Sequence, residues 1–253
     1  MKNADYQVVI LAAGNSRRMN ELTEDKPKSF LEIRGRKVID YHLDILDRRG
    51  FRNVTIVVGY LREFFTETIG NSYKNLTLDY VVSEDYATTN HSWSLFLTRE
   101  RWLGDKKPIV LIHADVFYDS RILDKVMESG YSNTTSVDNL YTVRTGDECI
   151  VRGQDDLVTS IEFDSRRERS RVIGEYMGIS KWSSEFLQSF YAFLSDFFVQ
   201  HGLRFNYEVS LNEFIQANGA LYYVTIDDLA WININYREDY EDAERDTFDR
   251  IYG

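Results

Sequence analysis

The chain has 253 residues, 43% hydrophobic and 14% aromatic with only two prolines, a balance that excludes a disordered protein and suffices for a sizeable core. Its net charge of -11 argues against nucleic acid or an anionic membrane as a partner, so local basic clusters stand out. The single cysteine, Cys149, allows no internal disulfide and no thiolate metal site, and the four histidines lack HExxH spacing.

In chain order, Val8–Leu11 (VVIL) predicts a buried parallel strand, being β-branched, aliphatic and too short for a stable helix. No later apolar run approaches the roughly 18 residues that cross a bilayer, and this one is shorter than the core of a signal peptide, so a cytosolic location is expected. Residues 38–49 place Val38, Tyr41, His42, Ile45 and Leu46 on one helical face, with Gly50 as the stop. Residues 53–59 predict a second strand, 61–69 a helix, 76–83 a third strand, 90–102 a helix and 108–114 a fourth strand. This alternation predicts βαβ units in a doubly wound parallel sheet. From about Thr135 the texture changes, with strands expected at 141–145, 149–152 and 157–163 and a charged loop at 164–171. Helices follow at 183–199 and 208–217, short strands at 221–226 and 231–235, and an acidic helix after Tyr236. No repeat or linker divides the chain, so one domain over 1–253 is expected, with halves meeting near residues 134 and 135.

The first strand carries the chemistry. Ligands bind at the carboxyl ends of such strands, and Ala12, Ala13, Gly14, Asn15 and Ser16 follow at once, letting backbone amides approach phosphate oxygens. Arg17 and Arg18 add fixed positive charge. Lys28 lies further along, after Asp25, Lys26 and Pro27, which predict extended chain. A dinucleotide fingerprint would need GxGxxG and a Walker A loop GxxxxGK; the turn reads GNSRRM and meets neither. The plain alternative is a strand-to-helix turn with surface arginines. Asp115 should project from the same sheet edge, as a metal ligand or a strand-end cap.

The run LAAGNSRRM followed by KPKSFLEI resembles the signature of the nucleotidyltransferases that make nucleoside diphosphate sugars and CDP-alcohols, with Ser16 where that family most often has glycine. The resemblance implies a Rossmann-like doubly wound mixed sheet, the glycosyltransferase A-like nucleotidyltransferase fold, with a strand-rich insertion in the second half. It implies that Leu11 to Arg18 hold the nucleotide, that Arg18 and Lys28 serve catalysis, and that Mg²⁺ is bound by Asp115 with the late WININ motif, where Asn235 replaces an aspartate. Thr89, Asn90, Ser92 and the run SLFLTRE resemble choline-phosphate and aminoethylphosphonate cytidylyltransferases, and the LGTA-like stretch of uridylyl- and thymidylyltransferases is absent. For Asn90, helix capping and cytosine recognition both stay open.

On this resemblance Tyr118, Glu175, Tyr176, Tyr207, Glu208 and Trp231 belong to the acceptor side, where aromatics and carboxylates suit an ammonium-bearing group. The reading is CTP plus a small phosphorylated or phosphonate acceptor giving a CDP- or CMP-linked product and pyrophosphate. It involves no nucleic acid or membrane and leaves room for a homodimer. The alternatives are a sugar-1-phosphate nucleotidylyltransferase using UTP or dTTP, and a catalytically silent nucleotide-binding regulator.

Overall fold

The computed structural model describes residues 1–140, 146, 148–163 and 171–253. The strand expected at 141–145, and all of the charged loop except Arg171, lie outside the described residues.

The first half is built from parallel strands β1 (Gln7–Ala12), β2 (Asn53–Val58), β3 (Leu76–Val82) and β4 (Ile109–His113), in the spatial order β3-β2-β1-β4. Alternate residues of β1 enter opposite cores: Val8 and Ile10 pack with Leu43 and Ile122 on one face, and Val9 packs with Leu111 and Trp182 on the other. Both faces are buried, which is why VVIL reads as an unbroken apolar run. Helices α1 (Val38–Arg48), α2 (Glu63–Thr68), α3 (His91–Leu97) and α4 (Arg99–Asp105) connect these strands. The single helix expected over 90–102 is therefore two. Thr98 lies at the break, its hydroxyl turned back to the Leu95 carbonyl at 2.6 Å and to the Tyr191 hydroxyl at 2.7 Å, a local bond that competes with helix continuation.

Beyond β4 the elements are β5 (Val116–Tyr118), α5 (Ser120–Glu128), β6 (Thr134–Asp138), β7 (Ile150–Gln154), β8 (Leu157–Glu162) and β9 (Val172–Trp182). Then come α6 (Ser184–His201), α7 (Tyr207–Asn218), β10 (Tyr222–Thr225), β11 (Trp231–Asn233), α8 (Arg237–Asp242) and α9 (Phe248–Tyr252). The main sheet continues from β4 as β9-β6-β10-β8-β7, with β9 antiparallel to both β4 and β6. The whole is thus a mixed sheet: the continuous parallel run that the alternation predicts lies in the first half, and the second half adds one parallel pair, β6 with β10. At 11 residues β9 is the longest strand described, and nothing in the residue pattern announces it.

The small antiparallel pair β5 and β11 positions the site. Trp231 pairs with Tyr118 and Asn233 with Val116, and the Ile234 amide then donates to the Asp115 carbonyl at 2.9 Å. This lays the end of WININ against the residue that follows β4. The late strand ends at Asn233, so Asn235 is free to turn its side chain inward. Among the described residues no helix is long and apolar enough to cross a membrane.

Candidate active site

A cavity of about 340 Å³ opens at the carboxyl ends of β1 and β4, where the strand order reverses, and is lined by Leu11 to Ser16 with Arg18, Lys28, Thr89 and Asn90. A Cβ on Gly14 would meet nothing within 4 Å, so its bare backbone faces open space. Gly59, in the VVGY run, serves differently: a Cβ there would stand 2.7 Å from the Ala13 carbonyl oxygen. The end of β2 is thereby packed against the loop after β1, with the Tyr60 amide donating to that same carbonyl at 3.3 Å. Ser16 has φ +50, a left-handed conformation that glycine adopts freely and that costs other residues about 1–2 kcal/mol. Its replacement of the usual glycine is not neutral. The side chain of Arg17 lies outside the described part of the structure.

Four side chains meet at the mouth of this cavity. Pro27 is extended (φ -61, ψ 148) and starts a short 3-10 turn at Lys28, whose ammonium donates to Asp115 Oδ2 at 2.6 Å and to Asn235 Oδ1 at 3.0 Å. Arg18 donates to the Tyr236 hydroxyl at 3.1 Å and reaches Asn235 Oδ1 at 3.5 Å, its guanidinium lying 5.0 Å from the Tyr236 ring centre. Burial pushes the Asp115 carboxyl up, but the Lys28 ammonium outweighs it and holds the pKa at about 2. Asp115 is therefore an anion throughout the physiological range.

The donor set fits Mg²⁺. Asp115 and Asn235 turn one oxygen each toward a single cationic centre, and both are hard ligands. Mg²⁺ commonly uses only one or two protein groups and takes its other ligands from phosphate and water; among the described residues no cluster of three or more His, Cys, Asp or Glu could hold a metal.

A second cavity of about 840 Å³ adjoins the first and shares Arg18, His91, His113, Asp115 and Asn235 with it. Glu175 and Tyr176 from β9, Glu208 from α7 and Trp231 from β11 line it. Three residues expected at the site do not reach either cavity. Tyr118 is 1% exposed, its ring edge-on to His42 in the core beneath β5. Tyr207 is one layer down, its hydroxyl bonded to the Tyr176 hydroxyl and to His113 Nε2 at 3.0 Å. Ser92 is fully buried and ties α3 to α7 through the Ser210 hydroxyl at 3.0 Å. Asn90 does cap α3, accepting from the His91 amide at 2.9 Å, while still lining the nucleotide-sized cavity.

The residues that sequence reasoning missed are His91, His113 and Asp138. His113 ends β4 two residues before Asp115, a usable signal; Asp138 ends β6, an element not foreseen. Burial pushes the His113 ring down to about 4, so it is neutral at pH 7. Burial drives Glu208 the other way, up to about 7.

The profile of the MobA-like NTP transferase domain matches residues 8–160, and the chain belongs to that family. Its members are nucleotidyltransferases, and this chain is an enzyme of that class. It is 27% identical over 247 residues to a CMP-5'-(3-aminopropyl)phosphonate synthase of Streptomyces rubellomurinus, covering 94% of this chain but only 38% of that longer protein. A choline-phosphate cytidylyltransferase of Streptococcus pneumoniae is 26% identical over 189 residues, 74% of this chain and 75% of that one. A UTP–glucose-1-phosphate uridylyltransferase of Haloferax volcanii is 25% identical over 265 residues, 94% of this chain and 95% of that one. Among solved structures, the CTP:phosphocholine cytidylyltransferase of Streptococcus pneumoniae superposes with a TM-score of 0.73 at 22% identity, over 94% of this chain and 97% of that one. The fold is the glycosyltransferase A-like nucleotidyltransferase fold.

Proposed function

We propose that this enzyme is a Mg²⁺-dependent cytidylyltransferase that joins CMP from CTP to a small phosphorylated or phosphonate acceptor and releases pyrophosphate. The observation that carries this reading is the meeting of Lys28, Arg18, Asp115 and Asn235 at the boundary of two adjoining cavities. The first half of the chain holds the nucleotide and the second half the acceptor, within one domain. An acceptor oxygen attacks the α-phosphorus, a new P–O bond forms, and the bond to the β-phosphate bridging oxygen breaks in line with it. Phosphate monoesters have a second pKa of about 6, so the nucleophile is ionised at neutral pH without a general base. Neutral His113 is thus no obstacle. Lys28 and Arg18 stabilise charge that builds on the transferring phosphoryl group and on the leaving pyrophosphate. Asp115 and Asn235 would hold the metal, whose chemistry here is neutralisation of phosphate oxygens. Lys28 contacts both of those oxygens, which puts its ammonium beside the place where the metal would be held.

The cytosine preference rests on Thr89 and Asn90 beside the nucleotide cavity and on the missing LGTA-like stretch. Burial removes Ser92 from the contacts. Cytosine and uracil present reversed donors and acceptors, and a site built for one leaves buried groups unpaired with the other. CTP should exceed UTP in kcat/KM by at least about tenfold. The resemblance to a uridylyltransferase supports a second reading, transfer from UTP or dTTP to a sugar 1-phosphate. Pyrophosphate release with CTP, UTP, dTTP, ATP and GTP across phosphorylated, phosphonate and sugar-phosphate acceptors decides between them. Equal use of UTP with the best acceptor would overturn the cytidylyl reading.

A further inference from the structure

The larger cavity is lined by a buried carboxylate with one oxygen that the fold leaves unpaired. Glu208 sits in the first turn of α7, its side chain 4% exposed yet lining the cavity. Oε1 lies 3.6 Å from His113 Nε2, a nitrogen already engaged with the Tyr207 hydroxyl. Oε2 is buried with no hydrogen-bond partner. A carboxylate oxygen shut away from water in this state is costly to the fold unless a ligand completes it.

The larger cavity carries both signs of charge. Arg18 stands where it joins the nucleotide cavity, which Lys28 also lines, and Asp138, Glu148, Glu175 and Glu208 are among its carboxylates, with Arg245 and Arg250 also in its lining. A molecule with an anionic phosphorus and a cation finds a partner for each. The kind of cation follows from what faces it. A quaternary ammonium makes no hydrogen bond and would leave a buried carboxylate oxygen unpaired. Tyr176 and Trp231 also line the cavity, the first at steep angles to His113 and Tyr207 at 6.0 and 6.2 Å, the second donating its indole N–H to Asp138 Oδ2 at 2.9 Å. Glu208 Oε2 offers open lone pairs, which only a donor satisfies.

We propose that the acceptor carries, at the end away from its phosphorus, a protonated amine that keeps its N–H bonds, and that Glu208 Oε2 accepts one of them. This rests on the phosphoryl-acceptor reading above. Methylation to the quaternary ammonium keeps the charge and removes every donor, so the two forms separate hydrogen bonding from plain electrostatic attraction.

The test measures kcat/KM at saturating CTP and Mg²⁺ for phosphoethanolamine against phosphocholine, and for 2-aminoethylphosphonate against its N-trimethyl form, with ethylphosphonate as the neutral comparison. The amine should win each pair by at least about tenfold, since sites built around a hydrogen bond reject analogues that lack it. In Glu208→Gln that ratio should collapse to within about threefold, the loss falling on the amine. Each ratio is taken on one preparation and is independent of the folded fraction. Equal or better use of the quaternary form, a preference for ethylphosphonate, or an unchanged ratio in Glu208→Gln each overturns the inference while leaving phosphoryl transfer intact. Pyrophosphate release with none of the five acceptors removes the phosphoryl-acceptor reading, and this inference falls with it.

Discussion

The two cavities that share Arg18 and Asp115 are built on opposite principles. The smaller draws about half of its lining from one stretch, Leu11 to Ser29, with the rest from residues 86–94, the end of β4 and Asn235, and it presents backbone, small side chains and cations. The larger is assembled from β6, β9, α7 and β11, which lie up to about a hundred residues apart, and meets its ligand with carboxylates over a layer of bonded tyrosines. A triphosphate makes the same demands in every enzyme that binds one, so a local turn can satisfy it; an acceptor differs from enzyme to enzyme and is enclosed by whatever the far side of the sheet supplies. The first region should therefore govern rate and the second acceptor choice.

The largest break in that contrast should come from Asp115→Asn, which leaves two neutral amides where a dication is to be held. Turnover should fall by roughly three orders of magnitude, and Asn235→Asp should be tolerated. Titration of Mg²⁺ against rate checks both, and an Asp115→Asn enzyme with wild-type metal dependence would remove Asp115 from the site. Next in size, Lys28→Ala should cost roughly two orders of magnitude in kcat with a smaller change in CTP affinity, the pattern of a group used more in the transition state than in binding. Near-native kcat at saturating CTP would contradict it.

The acceptor region should answer in stability rather than rate. Glu208 has a folded pKa of about 7, above its ordinary 4.5, because of burial. A carboxyl whose pKa is raised by folding stabilises the native state below the unfolded pKa, and that contribution is lost as pH climbs through the folded pKa. The gap corresponds to about 3 kcal/mol, so without ligand Glu208→Gln should be more stable than wild type at pH 8 and gain little at pH 4. Urea unfolding at the two pH values tests this; an equal difference at both would show that Glu208 does not titrate with the fold. The smallest effect is expected at Ser16, whose φ of +50 is left-handed. Ser16→Gly should gain up to about 1 kcal/mol in the same urea experiment, and a loss would mean that the serine hydroxyl repays its backbone.

What could be read from residue order follows the same division. VVIL, the glycine turn, Arg18 and Lys28 lie close together and carry their chemistry in residue type, so the strand and the loop that lines the smaller cavity were legible. Asp115 was legible because a polar residue directly after an apolar strand has few places to point. Its pairing with Asn235 came from the resemblance alone, because residue order does not show β5 pairing with β11 across more than a hundred residues, nor Lys28 bridging the two side chains. Strand β9 escaped notice since its residues, VIGEYMGISKW, mix glycine, charge and apolar types without a period of two. Tyr118 and Tyr207 were misplaced for a related reason: an aromatic with a polar tip suits a cavity wall and a core equally, and only packing decides.

The central claim is that Lys28, Arg18, Asp115 and Asn235 serve transfer of CMP between the two cavities rather than nucleotide hydrolysis in one. ³¹P NMR of wild-type enzyme with CTP, Mg²⁺ and 2-aminoethylphosphonate tests it directly. The account predicts pyrophosphate in step with a new pair of coupled anhydride signals, both slowed by roughly two orders of magnitude in Lys28→Ala. CTP converted to CMP and pyrophosphate without an anhydride, or to CDP and phosphate, would contradict it.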